Sequence, residues 1–183
     1  MEIRNEADVI LYELNLLQSL EKYGTPYPVG SYLADVMAWE DIDISIDCDN
    51  PEPEVLYALS AEINNLLHPY FYEARVHGNG TMFYSCETKV AGRRWNLDIW
   101  FRDSNSIART LEYCSEIKRR TEDEPEKKAL IIAIKQGLVA HGMYGIDKDP
   151  HYHYHSRDVY RAVLEDGITS LEQFLRTYPI IEE

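Results

Sequence analysis

Cysteine is scarce in this chain, and what there is does not pair. Cys48, Cys86 and Cys114 are odd in number, far apart and without a CxxC spacing. That excludes a disulfide frame and a zinc site, and points to reduced thiols in a cytoplasm. Long apolar runs are missing too: no stretch approaches the ~20 residues that span a bilayer. The start, MEIRNEADVI, has no basic region leading into an apolar core, so no signal peptide is expected. There are no internal repeats. Positive charge is in short supply, with 18 Lys and Arg against 32 Asp and Glu, a net charge of −14. A surface that acidic repels phosphate backbones. The charge therefore predicts no nucleic-acid partner and an attraction for a cationic small molecule or a metal ion, beyond the solubility that charge confers, and the lack of a spanning run predicts no membrane partner.

What is present suits an ordinary folded domain. Apolar residues make up 45% of the 183 and charged ones 27%, which leaves enough apolar surface for a core. The spacing of Val9, Ile10, Leu14, Leu17 and Leu20 predicts a helix over 7–22, ended by Gly24. Residues 27–29 read as extended, 32–40 as a short helix or turn, 41–48 as a strand and 55–67 as a helix. Strands follow at 70–76, 82–86 with its flanks, and 93–101, the first two joined by the turn signal HGNG. From there the pattern is helical, over 106–120, 125–140, 157–165 and 169–178. The shift near residue 104 divides the chain into a mixed α/β core, 1–104, and a helical C-terminal region, 105–183.

The stretch PVGSYLADVMAWEDIDISID (28–47) carries the chemistry. Side chains alternate along a strand, so Ile42, Ile44 and Ile46 share a core face while Asp41, Asp43, Ser45 and Asp47 share the other. Two carboxylates at i and i+2 repel unless a cation bridges them, which suits a hard divalent ion such as Mg²⁺. In RRWNLDIWF, Trp95, Leu97, Ile99 and Phe101 form an apolar face with Asp98 opposite, beside Asn96 and Arg94. An Asp among such strand formers calls for a partner. A neighbouring antiparallel strand is expected to set Asp98 beside Asp41 and Asp43. Three such carboxylates suit two metals about 3.5–4 Å apart, the arrangement for in-line displacement at phosphorus. Gly30-Ser31 before a helix start offers backbone N–H groups to an anion, with Ser31 either a hydroxyl donor or the helix N-cap.

VGS (29–31), DIDI (41–44) and NLDIW (96–100), in that order, resemble the polymerase-β-like nucleotidyltransferase superfamily. The resemblance covers residues 28–101, less than half of the chain. It implies an α/β (α+β) nucleotidyltransferase fold: a small mixed β-sheet flanked by helices, here with a helical C-terminal extension. The implied activity is transfer of a nucleoside monophosphate from an NTP, ATP among the candidates, to an acceptor hydroxyl with release of pyrophosphate. Gly30 and Ser31 would then hold the triphosphate, Asp41 and Asp43 would bind Mg²⁺, and Asp98 would share the catalytic metal and help deprotonate the acceptor. By analogy with antibiotic-modifying members, and from the acidity, a small and cationic acceptor is expected. The alternatives are a non-catalytic nucleotide-binding or protein-interaction module on the same fold, and an adenylyltransferase that modifies proteins.

Weaker signals remain. Arg94 is either a charge partner for Asp98 or a phosphate contact. Lys135, in LIIAIKQGL, is the candidate in the tail for reaching a triphosphate, against a lysine that merely snorkels to water. His151, His153 and His155 in HYHYHS alternate as metal ligands can, or lie in a surface loop ahead of a helix capped by Ser156. The stretch 141–155 is long for a connection, as binding loops are.

Overall fold

A computed structural model describes residues 2–48, 51–78, 80–145 and 154–179. It divides into two compact units, Met1–Ser115 and Glu116–Glu183. The N-terminal stretch is not the single helix that its apolar spacing predicts. α1 (Ile3–Asp8) runs into a π-helical turn, Val9–Glu13; Asn15 turns left-handed at φ 59°; and α2 (Leu16–Leu20) follows, ending in a 3-10 turn at Glu21–Tyr23. A π turn inserts a residue into the helical repeat. The buried face therefore moves to Ala7, Ile10, Leu11, Leu16 and Leu20, while Leu14 and Leu17 pack only at its margin.

Five strands form one mixed sheet: β1 (Thr25–Pro28), β2 (Asp41–Asp47), β3 (Phe71–Val76), β4 (Met82–Val90) and β5 (Arg93–Arg102). Their order is β1-β2-β5-β4-β3. Three of the pairs are antiparallel. β2 and β5 run parallel, which corrects the antiparallel neighbour expected beside β2. The connectivity gives the reason. After β2 the chain crosses over through α4 (Glu54–Leu67) and lays β3 at the far edge. Two hairpins then bring β5 back in the direction that the crossover set. The β4–β5 hairpin is tight: Ala91 and Gly92, at φ 51° and 84°, form the two-residue turn with positive φ at both centres that matches strand twist. It carries β4 four residues beyond the expected Cys86.

One face of this sheet is the core. Ile42, Ile44 and Ile46 of β2 join Trp95, Leu97, Ile99 and Phe101 of β5, all nearly or fully buried, under Leu56, Leu59, Ile63 and Leu67 of α4. Each large side chain so buried contributes roughly 1.5–3 kcal/mol. None of the three cysteines forms a disulfide.

The second unit is helical. α5 (Ser104–Glu122) runs into it and is followed by α6 (Pro125–Ala140), α7 (Ser156–Leu164) and α8 (Leu171–Thr177). Ile131, Ile134 and Leu138 of α6 are buried, as are Val159, Val163, Ile168 and Phe174. α6 and α8 meet at Gly137, where an added Cβ would lie 2.5 Å from Leu171 Cδ2. His155, not Ser156, is the N-cap of α7, and its backbone N–H donates to Asp158 Oδ2 at 2.8 Å. His151 and His153 lie outside the described residues, as does the rest of 146–153. Among the described residues no helix is long and apolar enough to cross a membrane.

Ile44 is fully buried in the strand that carries the candidate site. Ile44→Ala is expected to lower unfolding free energy by about 2–5 kcal/mol, the usual loss for truncating a core isoleucine. Urea denaturation checks this; a loss well under about 1 kcal/mol would contradict the packing described.

Candidate active site

The opposite face of the sheet gathers the polar side chains. The parallel register sets Asp41 against Asn96, Asp43 against Asp98, Ser45 against Trp100 and Asp47 against Arg102. β4 adds Ser85 opposite Asp98, and β3 adds Glu73 opposite Ser85. A row of four residues, Asp43–Asp98–Ser85–Glu73, thus crosses four strands on one face. Asn96 ties the carboxylates together: its amide donates to Asp41 Oδ1 at 2.8 Å and to Asp98 Oδ1 at 3.2 Å. Burial raises the pKa of Asp98 above the ordinary aspartate value, and the charge of Glu73 adds to the rise, while hydrogen bonds from Ser85 and Asn96 pull the other way. An acid held in that state stands in an environment that disfavours its charge, which is typical of groups whose charge is used.

The VGS segment closes over Asp43. The Val29 N–H donates to the Asp43 carbonyl at 2.9 Å. Gly30 follows at φ 61°, and a Cβ there would lie 2.0 Å from Asp43 Oδ2. Both the backbone angle and the contact therefore demand glycine. The helix expected at 32–40 is only α3, the single turn Gly30–Leu33, with Asp35 left-handed at φ 57° just beyond it. A four-residue turn has little macrodipole, so any anion binding here rests on individual N–H groups. Ser31 lies inside that turn, with Val29 in the N-cap position. Tyr32 fixes the turn to α1: its hydroxyl donates to Asp8 Oδ1 at 2.6 Å, and the Arg4 guanidinium sits 4.3 Å over its ring.

The remaining predicted residues lie elsewhere. Arg94 is exposed beside the β4–β5 turn, opposite Lys89, four residues and about 13 Å along the strand from Asp98. Lys135 belongs to the second unit and does not snorkel. It is 2% exposed, with Nζ 5.9 Å from the Tyr160 ring centroid. Sequence reasoning missed Ser85 and Glu73, which only the strand register brings into line. Asn96 was visible, two residues before Asp98.

The donor set fits a divalent ion in kind, because carboxylate oxygens on one face are what Mg²⁺ takes. The Asn96 N–H groups point between two of those carboxylates, where a cation would satisfy the same lone pairs. Among the described residues, however, no three His, Cys, Asp or Glu side chains already form a group that could hold a metal.

No protein-family profile matches the sequence, and no curated protein matches it either. Solved structures do. A structure of the Cid1 poly(U) polymerase with Mg and 3′-dATP bound is 15% identical, with a TM-score of 0.56 over 78% of this chain and 43% of that one. A cytoplasmic RNA terminal U-transferase is 15% identical, with a TM-score of 0.60 over 88% of this chain and 47% of that one. The non-canonical poly(A) polymerase complex GLD-2–GLD-3 is 13% identical, with a TM-score of 0.60 over 97% and 61%. The chain thus spans about half the length of these proteins. Likeness at such identities is likeness of fold. The chain shares the fold of these polymerases and of the terminal transferase, a small mixed sheet flanked by helices, which is the fold that the resemblance of VGS, DIDI and NLDIW implies.

One expectation is overturned. Net charge predicted no nucleic-acid partner and, with the analogy to antibiotic-modifying members, a small-molecule acceptor, yet the structurally similar proteins are poly(U) and poly(A) polymerases and an RNA terminal U-transferase. A charge of −14 sums over the whole surface, whereas contact with a phosphate backbone depends on the local field of the groups that meet it. Acidity therefore excludes no acceptor of that kind.

A pH prediction follows from Asp98. The unfolded chain releases this proton first, so between the two pKa values the native state binds more protons, and stability falls as pH rises through that window. Asp98→Asn removes the effect. With a chelator present, the melting temperature of the variant minus that of wild type is expected to increase from acid to neutral pH. A flat or falling difference would contradict the desolvated carboxylate.

Proposed function

We propose that this protein is a nucleotidyltransferase that moves a nucleoside monophosphate from an NTP to an acceptor hydroxyl, with the 3′ hydroxyl of RNA as the acceptor class. The observation that carries the reading is the register of Asp43 with Asp98 on adjacent parallel strands, with Gly30 packed against Asp43. The fold supports it, as does a structural neighbour that holds Mg and 3′-dATP. The choice of RNA rests on the fold neighbours alone.

Asp41, Asp43 and Asp98 would hold two Mg²⁺ ions. Such ions, when bound, neutralise the triphosphate and stabilise charge at the reacting phosphorus. The VGS backbone, with the Ser31 hydroxyl, would hold the triphosphate. Asp98 would take the proton from the acceptor hydroxyl as its oxygen bonds to the α-phosphorus. The bond from that phosphorus to the bridging oxygen breaks on the opposite side, and pyrophosphate leaves. Ser85 and Asn96 keep the Asp98 carboxylate oriented.

A second reading is a nucleotide-binding module without turnover. It is favoured by the lack, among the described residues, of a group of three metal-holding side chains. One experiment separates the two. RNA oligonucleotides are incubated with each α-labelled NTP and Mg²⁺, and label at the 3′ end is followed by gel. Label that appears with wild type and falls by about 10³-fold or more in Asp43→Asn or Asp98→Asn supports the transferase. Nucleotide binding with no product, from any NTP, supports the module.

A further inference from the structure

The two edges of the sheet are protected very differently. At one edge β1 is four residues long and carries Pro26 and Pro28, which have no N–H to offer. At the other edge β3, FYEARV, has six residues, no proline and no lysine, and pairs with β4 residue for residue without a bulge. Natural sheets blunt their edges with short strands, proline, bulges and charge; of these β3 has only Glu73 and Arg75, whose charges cancel. The His77 N–H donates to the Thr81 carbonyl at 2.8 Å. Alternation along an antiparallel ladder then turns the backbone of residues 71, 73 and 75 toward β4. The N–H and C=O groups of Tyr72, Ala74 and Val76 point off the edge.

Apolar surface borders this edge. α4 and β3 flank a groove of about 660 Å³, and Tyr57, Tyr72 and Val76 beside it are 79%, 58% and 52% exposed. Charge makes the edge specific. In a chain of net charge −14, which repels its own copies, β3 is neutral, with one Glu and one Arg.

We propose that a second copy of this chain docks here, β3 against β3 in antiparallel, about a two-fold axis through Ala74. Ala74 then pairs with the partner's Ala74 through two N–H···O bonds. Tyr72 stands beside the partner's Val76 on the α4 side. Glu73 stands opposite the partner's Arg75 on the other side, and Arg75 opposite the partner's Glu73. The ion pair that Glu73 and Arg75 make within one copy becomes part of a ring of four alternating charges. These residues occupy non-hydrogen-bonded positions, where cross-strand side chains come closest.

The charges also select the register. Sliding by one hydrogen-bonded step in one direction would set Glu73 against the partner's Glu73; in the other direction, Arg75 would meet the partner's Arg75. Only the register centred on Ala74 matches opposite signs. Such an interface is isologous and closes on itself, so the product is a dimer and not a fibre.

Sedimentation equilibrium on the full chain tests this, with circular dichroism to show that each variant folds. Wild type is expected to reach twice the 21.3 kDa of one chain. Glu73→Arg alone or Arg75→Glu alone faces like charges across the axis and should weaken the dimer by about tenfold or more. An equal mixture of the two single variants pairs opposite charges again and should restore it, as should the double swap E73R/R75E. Ala74→Pro, at an edge position that the fold tolerates, should leave a folded monomer. A wild type that stays monomeric at every concentration, whatever else its edge binds, would overturn the proposal. So would a dimer untouched by both single charge changes, or a mixture that fails to associate.

Discussion

Residues Asp41–Asp47 pair in parallel with Asn96–Arg102, and this ladder serves both faces of the sheet. On one face it lays Ile42, Ile44 and Ile46 beside Leu97, Ile99 and Phe101 and so fills the centre of the core. On the other it holds Asp43 next to Asp98, two like charges that separate strands would keep apart. Their proximity is unfavourable in itself, and burial, with the charge of Glu73, raises the pKa of Asp98 further against its charged form. Apolar burial on the far face keeps the arrangement in place. Hydrogen bonds from the Ser85 hydroxyl and the Asn96 amide pull the Asp98 carboxyl the other way without cancelling the rise. A local conflict held by a well-packed core is what a poised site looks like in physical terms.

Much of this was legible in the residues. Strict alternation in DIDISID and in RRWNLDIWF places each side chain on its face, because the strand period of two allows no other assignment once one face is isoleucine or leucine. The helices of the second unit lie close to where their spacing puts them. What could not be read is what depends on residues far apart in sequence. The parallel sense of β2 and β5 follows from the α4 crossover, and the places of Ser85 and Glu73 in the row follow from the register of four strands. The N-terminal helix misled for a local reason. A π turn and a left-handed Asn15 move the buried face off a regular 3.6 period, and the sequence carries no strong signal for either. The short helix or turn expected over 32–40 is the single turn α3, which starts earlier and ends before a left-handed Asp35.

Net charge misled in another way. It is a sum, and sums constrain solubility more than contact. On β3 the charges cancel within one strand, and on β2 they concentrate into three aspartates within seven residues. A protein with an overall charge of −14 can therefore carry both a neutral edge and a strongly acidic face.

The central claim is that the polar face of β2 and β5 is a site for metal and triphosphate. Thermal stability with each NTP, with and without Mg²⁺, tests it most directly when wild type is compared with Asp41→Asn/Asp43→Asn. A ligand at about a hundred times its dissociation constant stabilises by roughly 2.7 kcal/mol, several degrees for a chain of this size. The account predicts a shift of that order that needs Mg²⁺ and is lost in the double variant. No shift with any NTP, or one that is indifferent to the two aspartates, would contradict it.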